Sequence, residues 1–348
     1  MGLDVKEKNL LKFVGGTLLP PVVVLPLISR YLFPGNFLGF VGFLTVSYFA
    51  HKSLLSPAWF HLKTRALRRT DVRKYGDWAI VTGATSGIGM EFTHTFGKLG
   101  LNVLVVSRSV PKMEALKKDF EERHGKKLKY VQYDFNNTDP AVLASFKASF
   151  ASALSSVRSA GILVNNVGLS NENPEYVHLI PQGEVDQMLN VNNGGTVLMS
   201  RLVLPDMVRR RKGAVITVSS ASCTHPTALL SVYSATKGFG NQLTRSMHYE
   251  YKEFGIDCLS ITPYYFVSNM FKRRKGTYLA PLPSEIVEPA LLSLGHAAEA
   301  YPYWGHYAMG VIGHYYWDTA NGLLGIMKRS KARAEAKAKR KAEEDKSK

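Results

Sequence analysis

The sequence predicts an α/β chain, a doubly wound parallel sheet carrying an N-terminal membrane anchor. Three observations predict it. Six short apolar runs alternate with stretches of helical period between Asp77 and Pro263. The first of these runs ends in a glycine-rich turn, "TGATSGIG", where a strand should hand over to a helix. Two apolar segments without a single charge precede residue 51. With 348 residues, 45% hydrophobic and 20% charged, the chain is not disordered and can bury a sizeable core. Cys223 and Cys258 form neither a disulfide framework nor a zinc set, so no metal is expected. Cys258, inside "IDCLSIT", reads as a core residue.

The order of elements suggests four regions: 1–75 (anchor and basic juxtamembrane segment), 76–300 (nucleotide-binding domain), 301–328 (aromatic, apolar segment) and 329–348 (basic, solvated tail). Tyr31 to Ala50 is a twenty-residue uncharged run, long enough to cross a bilayer as a helix. Phe13 to Ile28 is shorter and carries Pro20, Pro21 and Pro26. It suits a kinked span, a re-entrant segment or one arm of a hairpin. The apolar region outruns the 7–15 residues of a signal-peptide core, which favours a retained anchor. The Met-Gly start has Lys6 where a myristoylation site needs Ser or Thr.

The formal net charge is +17, concentrated beside the apolar segments. "KTRALRRTDVRK" spans Lys63 to Lys74, and Lys328 to Lys348 holds ten Lys/Arg against four acids. This placement points to anionic lipid headgroups and to a cytosolic face. No recognition motif accompanies the charge, so nucleic acid is excluded as a partner. The segment "AYPYWGHYAMGVIGHYYWDTANGLLGIM" is either interfacial or packed on the domain.

The six predicted strands are "DWAIVTG", "LNVLVVSR", "LKYVQYD", "GILVNNVG", "GAVITVSS" and "IDCLSITP". Helices are predicted between them over Met90–Leu99, Met113–Arg123, Val142–Val157, Val185–Arg210 and Ala235–Phe254. The turn supplies Gly83, Thr85, Ser86, Gly87, Ile88 and Gly89 for a pyrophosphate at a helix N-terminus. An NAD-binding fold usually ends its second strand with an acid. Arg108 stands there instead, suited to a 2′-phosphate, so NADP(H) is the expected cofactor. Asp134 ends the third strand, where the adenine should lie.

"TGATSGIG", "LVNNVG", "VSS" and "YSATK", in this order on one frame, resemble the short-chain dehydrogenase/reductases, a Rossmann-type family, from about Gly76 to Gly295. The resemblance implies a tetrad of Ser220, Tyr233, Lys237 and an asparagine. Asn192 in "MLNVNNGG" takes that place, with Asn190 and Asn193 as neighbours. It also implies that Asn165, Asn166, Val267 and Ser268 meet the cofactor, as do Tyr233 and Lys237. Tyr233 would protonate a carbonyl oxygen, and Lys237, one helical turn on, should draw the tyrosine pKa towards neutrality. Ser220 would orient the carbonyl, and Asn192 would hold a water leading from Lys237 to solvent.

"NNVG", "NPEY", "LVLPDMV" and "PYYFVSNM" resemble more narrowly the microsomal very-long-chain 3-oxoacyl-CoA reductases, a branch that includes 17β-hydroxysteroid dehydrogenases. The implied activity is NADPH-dependent reduction of a long-chain 3-oxoacyl-CoA in fatty-acid elongation, at the endoplasmic reticulum membrane with the catalytic domain in the cytosol. A steroid or retinoid ketone reductase with the same residues is the alternative. A membrane scaffold that keeps a dead nucleotide fold is the third class, and the intact Ser220, Tyr233 and Lys237 speak against it. Met270 to Leu282 would face the substrate, with Lys272, Arg273, Arg274 and Lys275 either on the phosphates of a CoA ester or solvated. Membrane lipids, the other elongation enzymes and a second copy of the chain are the expected partners.

Overall fold

The computed structural model describes residues 37–50, 71–157, 159–267, 276–315 and 319–346. The chain divides into two compact units, Met1–Arg65 and Ala66–Lys348. In the first, helix α1 (Phe37–Ala50) has 14 residues and no charge. At ~1.5 Å per residue it reaches roughly 21 Å, short of the ~30 Å hydrocarbon core. Among the described residues no helix is long and apolar enough to cross a membrane. The predicted segment Phe13 to Ile28, the first residues of the Tyr31–Ala50 run and most of the Lys63–Lys74 cluster lie outside the described residues.

The second unit is built on a parallel sheet of seven strands in the order β3-β2-β1-β4-β5-β6-β7. The strands are β1 (Trp78–Thr82), β2 (Asn102–Ser107), β3 (Leu128–Gln132), β4 (Ala160–Asn165), β5 (Gly213–Val218), β6 (Ile256–Ile261) and β7 (Glu299–Ala300). Strands β1, β4 and β5 are buried along their whole length, which is why they read as unbroken apolar runs. Edge strand β3 is buried at only Leu128 and Val131. Val81 pairs with Val105 on one side and Val164 on the other, so the carboxyl ends of β1, β2 and β4 finish together. The order reverses between β1 and β4. That switch point is where an open α/β sheet leaves a crevice.

Helices α2 (Gly87–Lys98), α3 (Val110–His124), α4 (Pro140–Ser155), α5 (Gln182–Met188), α6 (Gly195–Arg210) and α7 (Ser231–Glu250) connect the strands. One core cluster packs Phe92, Phe96 and Phe120 against the sheet. The other packs Phe146, Phe150, Met199 and Met207 on it. Cys258 is buried in the second cluster, as the sequence predicts, and burial pushes its thiol up to about 12. The helices start two to four residues before their predicted positions, α2, α3 and α4 behind the polar residues Ser86, Ser109 and Asp139. Asp139, for example, caps α4 by accepting from the N–H groups of Ala141 and Val142, at 2.7 and 3.1 Å.

Two differences from the expected elements matter for function. The single helix predicted over Val185–Arg210 is two helices joined by a π-helical turn, Leu189–Gly194. Strand β7 is two residues long, too short to show a period, yet it extends the sheet by pairing Ser260 with Glu299 and Ile261 with Ala300. The chain then forms α8 (Ser284–Ser293, before β7), α9 (Trp304–Tyr315) and α10 (Thr319–Lys346). Pro302, Gly305, His306 and Gly310 are buried, so the front of the aromatic segment packs on the domain. The charged tail is helical over its described residues, and 332–340 are mostly exposed, as expected. Lys331 forms ion pairs with Glu175, in the loop after β4, and with Glu335.

Candidate active site

A cleft of about 290 Å³ opens at the carboxyl ends of the strands, from the glycine turn to Tyr233 and Lys237. The turn between β1 and α2 needs glycine at two positions, since Gly83 and Gly87 have φ of +63° and +57°. Gly89 is required for another reason. A Cβ there would lie 2.3 Å from Asn166 Nδ2 and 2.6 Å from the Gly83 carbonyl oxygen. Asn166 in turn donates to the carbonyls of Thr82 and Gly83 at 3.0 and 3.1 Å. Thr82 Oγ1 accepts from the N–H groups of Asn166 and Val167 at 3.0 and 3.1 Å, so β4 is tied to the turn.

Ser86 precedes α2 in an extended conformation and makes no side-chain cap bond, leaving the first N–H groups of the helix to a ligand. Thr85, Ser86, Gly87 and Ile88 all line the cleft beside them. Arg108 and Asp134 line its far end and are exposed, and Asp134 Oδ1 accepts from the Asn136 N–H at 3.0 Å. A donor-lined turn and, away from Tyr233, a cation fit the pyrophosphate and ribose of a dinucleotide.

At the opposite end α7 begins at Ser231, so Tyr233 and Lys237 stand one turn apart in its first two turns. Lys237 is buried, donating from Nζ to the Val218 carbonyl at 2.9 Å. Its Nζ lies 5.9 Å from the centre of the Tyr233 ring. Ser219 Oγ donates to the Lys237 carbonyl at 2.7 Å, fixing α7 on the end of β5. Gly168 leaves the ammonium its room, since a Cβ there would sit 2.9 Å from Nζ. Ser220 is half-buried and close enough to Tyr233 to favour its charged form, while its Oγ accepts from the Ser222 N–H at 3.2 Å.

The expectation that Lys237 draws the Tyr233 pKa towards neutrality is not met. Burial pushes Tyr233 up to about 12, and Ser220 is the main opposing influence. Burial also lowers Lys237 to about 8. The reason is burial: desolvation is the largest influence on both groups and disfavours both charged forms, while the ammonium sits 5.9 Å from the ring centre. Tyr233 is therefore a protonated donor at neutral pH.

Asn192 sits in the π-helical turn and is buried. Its Oδ1 accepts from the Leu169 N–H at 2.7 Å, and its Nδ2 donates to the Leu169 carbonyl at 2.9 Å and to Thr236 Oγ1 at 2.8 Å. The extra residue of a π turn aims this amide across at the loop after β4 and at α7 together. Of the expected residues, Asn165 turns away from the cleft and donates to Ser200 Oγ on α6 at 3.0 Å. Val267 donates its N–H to the Pro281 carbonyl at 3.0 Å, and its neighbour Phe266 lines the cleft instead. Ser268 and the cluster Lys272 to Lys275 lie outside the described residues. Sequence reasoning missed Phe266, Gly168 and Ser219. Ser219 was within sight as the first serine of "VSS".

The short chain dehydrogenase family matches residues 77–278. A very-long-chain 3-oxoacyl-CoA reductase of Bos taurus is 36% identical over 75% of this chain and 82% of that protein. An inactive hydroxysteroid dehydrogenase-like protein 1 of Homo sapiens is 32% identical over 71% of this chain and 74% of its own. Among solved structures, a short-chain dehydrogenase of Sphingobium yanoikuyae in complex with NADPH has a similar fold. It has a TM-score of 0.55 at 23% identity, over 62% of this chain and 83% of that one.

Proposed function

The chain belongs to the short-chain dehydrogenase family of oxidoreductases, and from that premise we propose that it reduces a long- or very-long-chain 3-oxoacyl-CoA to the 3-hydroxyacyl-CoA with NADPH, as a step of fatty-acid elongation. One observation carries the reading. A protonated tyrosine and a buried lysine line one end of the cleft that the glycine turn also lines, with Ser220 close enough to the tyrosine to favour its charged form, in a chain that resembles the bovine reductase over most of its length.

Bound NADPH supplies the hydride that reaches the carbonyl carbon. The residues of the chain manage the oxygen. Tyr233 donates its phenolic proton as charge develops there, with Ser220 orienting the carbonyl from the adjacent loop. The Lys237 ammonium steadies the phenolate left behind, a charge the ligand-free tyrosine does not yet carry. Asn192 holds the backbone of Leu169 and the hydroxyl of Thr236, next to Lys237, so the wall keeps its shape. Arg108 supports NADPH over NADH, as an exposed cation lining the far end of the cleft where a 2′-phosphate would lie.

In the same reading the enzyme works at the endoplasmic reticulum membrane with its catalytic unit in the cytosol. The uncharged segments before residue 51 and the basic clusters beside them support an anchor and a contact with anionic lipids. The proposed partners beyond lipid and substrate are the condensing enzyme, dehydratase and enoyl reductase of elongation, and a second copy of the chain. The test is NADPH oxidation by the purified full chain with a 3-oxoacyl-CoA and, side by side, a 17-keto steroid. No turnover of the acyl-CoA would sink the proposal, and turnover of the steroid alone would establish the alternative.

A further inference from the structure

The aromatic C-terminal segment contains a histidine that the chemistry above does not use. His306, in the first turn of α9, is completely buried. Its Nδ1 accepts the backbone N–H of Tyr264 at 3.2 Å. In the uncharged ring that leaves the proton on Nε2, which donates to the Tyr265 carbonyl at 3.1 Å. Burial holds the ring pKa down at about 4, against backbone hydrogen bonds to Tyr265 and Leu279, so the ring stays neutral at any physiological pH. The rings of Tyr264 and Tyr303 flank it at 5.7 and 5.1 Å.

The stretch it grips leads directly into the active site. Tyr264 and Tyr265 follow β6, and Phe266, the next residue, lines the cleft with Tyr233 and Lys237. On its far side Val267 is tied to the Pro281 carbonyl. The same segment also reaches the loop of Ser220: the side chains of Tyr264 and Tyr301 lie close enough to that of Thr224, at the end of the turn Ala221–Cys223 that Ser220 begins, for its hydroxyl to favour their charged forms.

We propose that His306 is a positioning residue of the reductase: its imidazole, accepting from one peptide and donating to the next, fixes the backbone so that Phe266 holds its wall of the cleft against the bound nucleotide. The inference rests on the cleft being the NADPH site, and it is independent of which ketone is reduced.

The test is NADPH affinity of the full chain, read by nucleotide fluorescence without any ketone, for wild type, His306→Leu and His306→Asn. Leucine removes both ring hydrogen bonds, whereas asparagine keeps an acceptor near the position of Nδ1. His306→Leu should weaken NADPH about tenfold and His306→Asn no more than about threefold, the scale of one or two backbone hydrogen bonds. Amide exchange over 264–267 should quicken in the leucine variant while exchange over β1 stays as in wild type. A folded His306→Leu with wild-type NADPH affinity and wild-type exchange over 264–267 overturns the proposal. Should that variant not fold, the wild-type chain decides: a Tyr264 amide that exchanges as fast as an exposed loop overturns it, and one as slow as the core supports it. A wild type that binds NADPH and reduces no 3-oxoacyl-CoA refutes the substrate reading alone.

Discussion

Replacing Gly89 by alanine probes the phosphate turn, because its consequences follow from the close packing around that residue. The new methyl carbon would stand 2.3 Å from Asn166 Nδ2 and 2.6 Å from the Gly83 carbonyl oxygen. The side chain could swing away, but the carbonyl belongs to the turn itself and cannot yield without changing it. Overpacking of this kind costs about 1–3 kcal/mol. Displacing Asn166 forfeits its bonds to Thr82 and Gly83, at about 1 kcal/mol each. Alanine returns about 1 kcal/mol through its better helix propensity. The net expectation is a loss of roughly 2–4 kcal/mol, together with weakened NADPH binding. Gly183, on α5, is the control, since a Cβ there meets nothing within 4 Å. Gly183→Ala should be neutral or slightly stabilising. Urea denaturation and NADPH titration of both variants decide the matter. Gly89→Ala with wild-type stability and affinity would refute the steric argument.

Tyr233→Phe removes the proton donor and should lower kcat by about 10²–10⁴-fold, with a far smaller change in NADPH affinity in a fluorescence titration. Burial depresses Lys237 from its ordinary 10.5 to about 8, so below about pH 8 the buried ammonium weighs on folding in full. Between about 8 and 10.5 the folded lysine releases its proton before the unfolded one, and wild-type stability rises. Lys237→Met should therefore gain stability below pH 8 and lose that advantage as pH approaches 10.5, and an advantage independent of pH would contradict this. Asn192→Ala leaves the Leu169 peptide groups without their partner and takes one bond from the Thr236 hydroxyl, and should cost about 2–4 kcal/mol in unfolding free energy by urea denaturation. Arg108→Asp should move coenzyme preference from NADPH towards NADH; unchanged ratios of kcat/KM would remove Arg108 from the 2′-phosphate site.

Most of the sheet was legible because its central strands are buried on both faces and write continuous apolar runs into the sequence. The turn was legible because left-handed backbone at Gly83 and Gly87 leaves glycine as the residue of choice. Tyr233, Lys237 and Ser220 were found because a helical turn and a strand end keep fixed spacings. What escaped depends on contacts between distant segments. Asn165 and Asn166 are adjacent, yet one faces α6 and the other the turn, because successive residues at a strand end point to opposite sides. The π turn leaves no periodic mark in six residues, so the reach of Asn192 could not be read. The tyrosine pKa differs from expectation because spacing along a helix places the ammonium near the ring but does not show how deeply both groups are buried.

The two-residue strand β7 bears on the order in which the protein comes into being. Ser220, Tyr233 and Lys237 leave the ribosome well before Glu299 and Ala300, so an unfinished polypeptide already displays its reacting groups. The edge of β6 that will accept β7, and the peptides that His306 will hold, are then still unpaired. An exposed parallel edge invites wrong partners during synthesis. The last strand therefore acts as a closure on assembly: a nascent chain arrested before residue 299 should be sticky and catalytically idle, and one released past α9 should be neither.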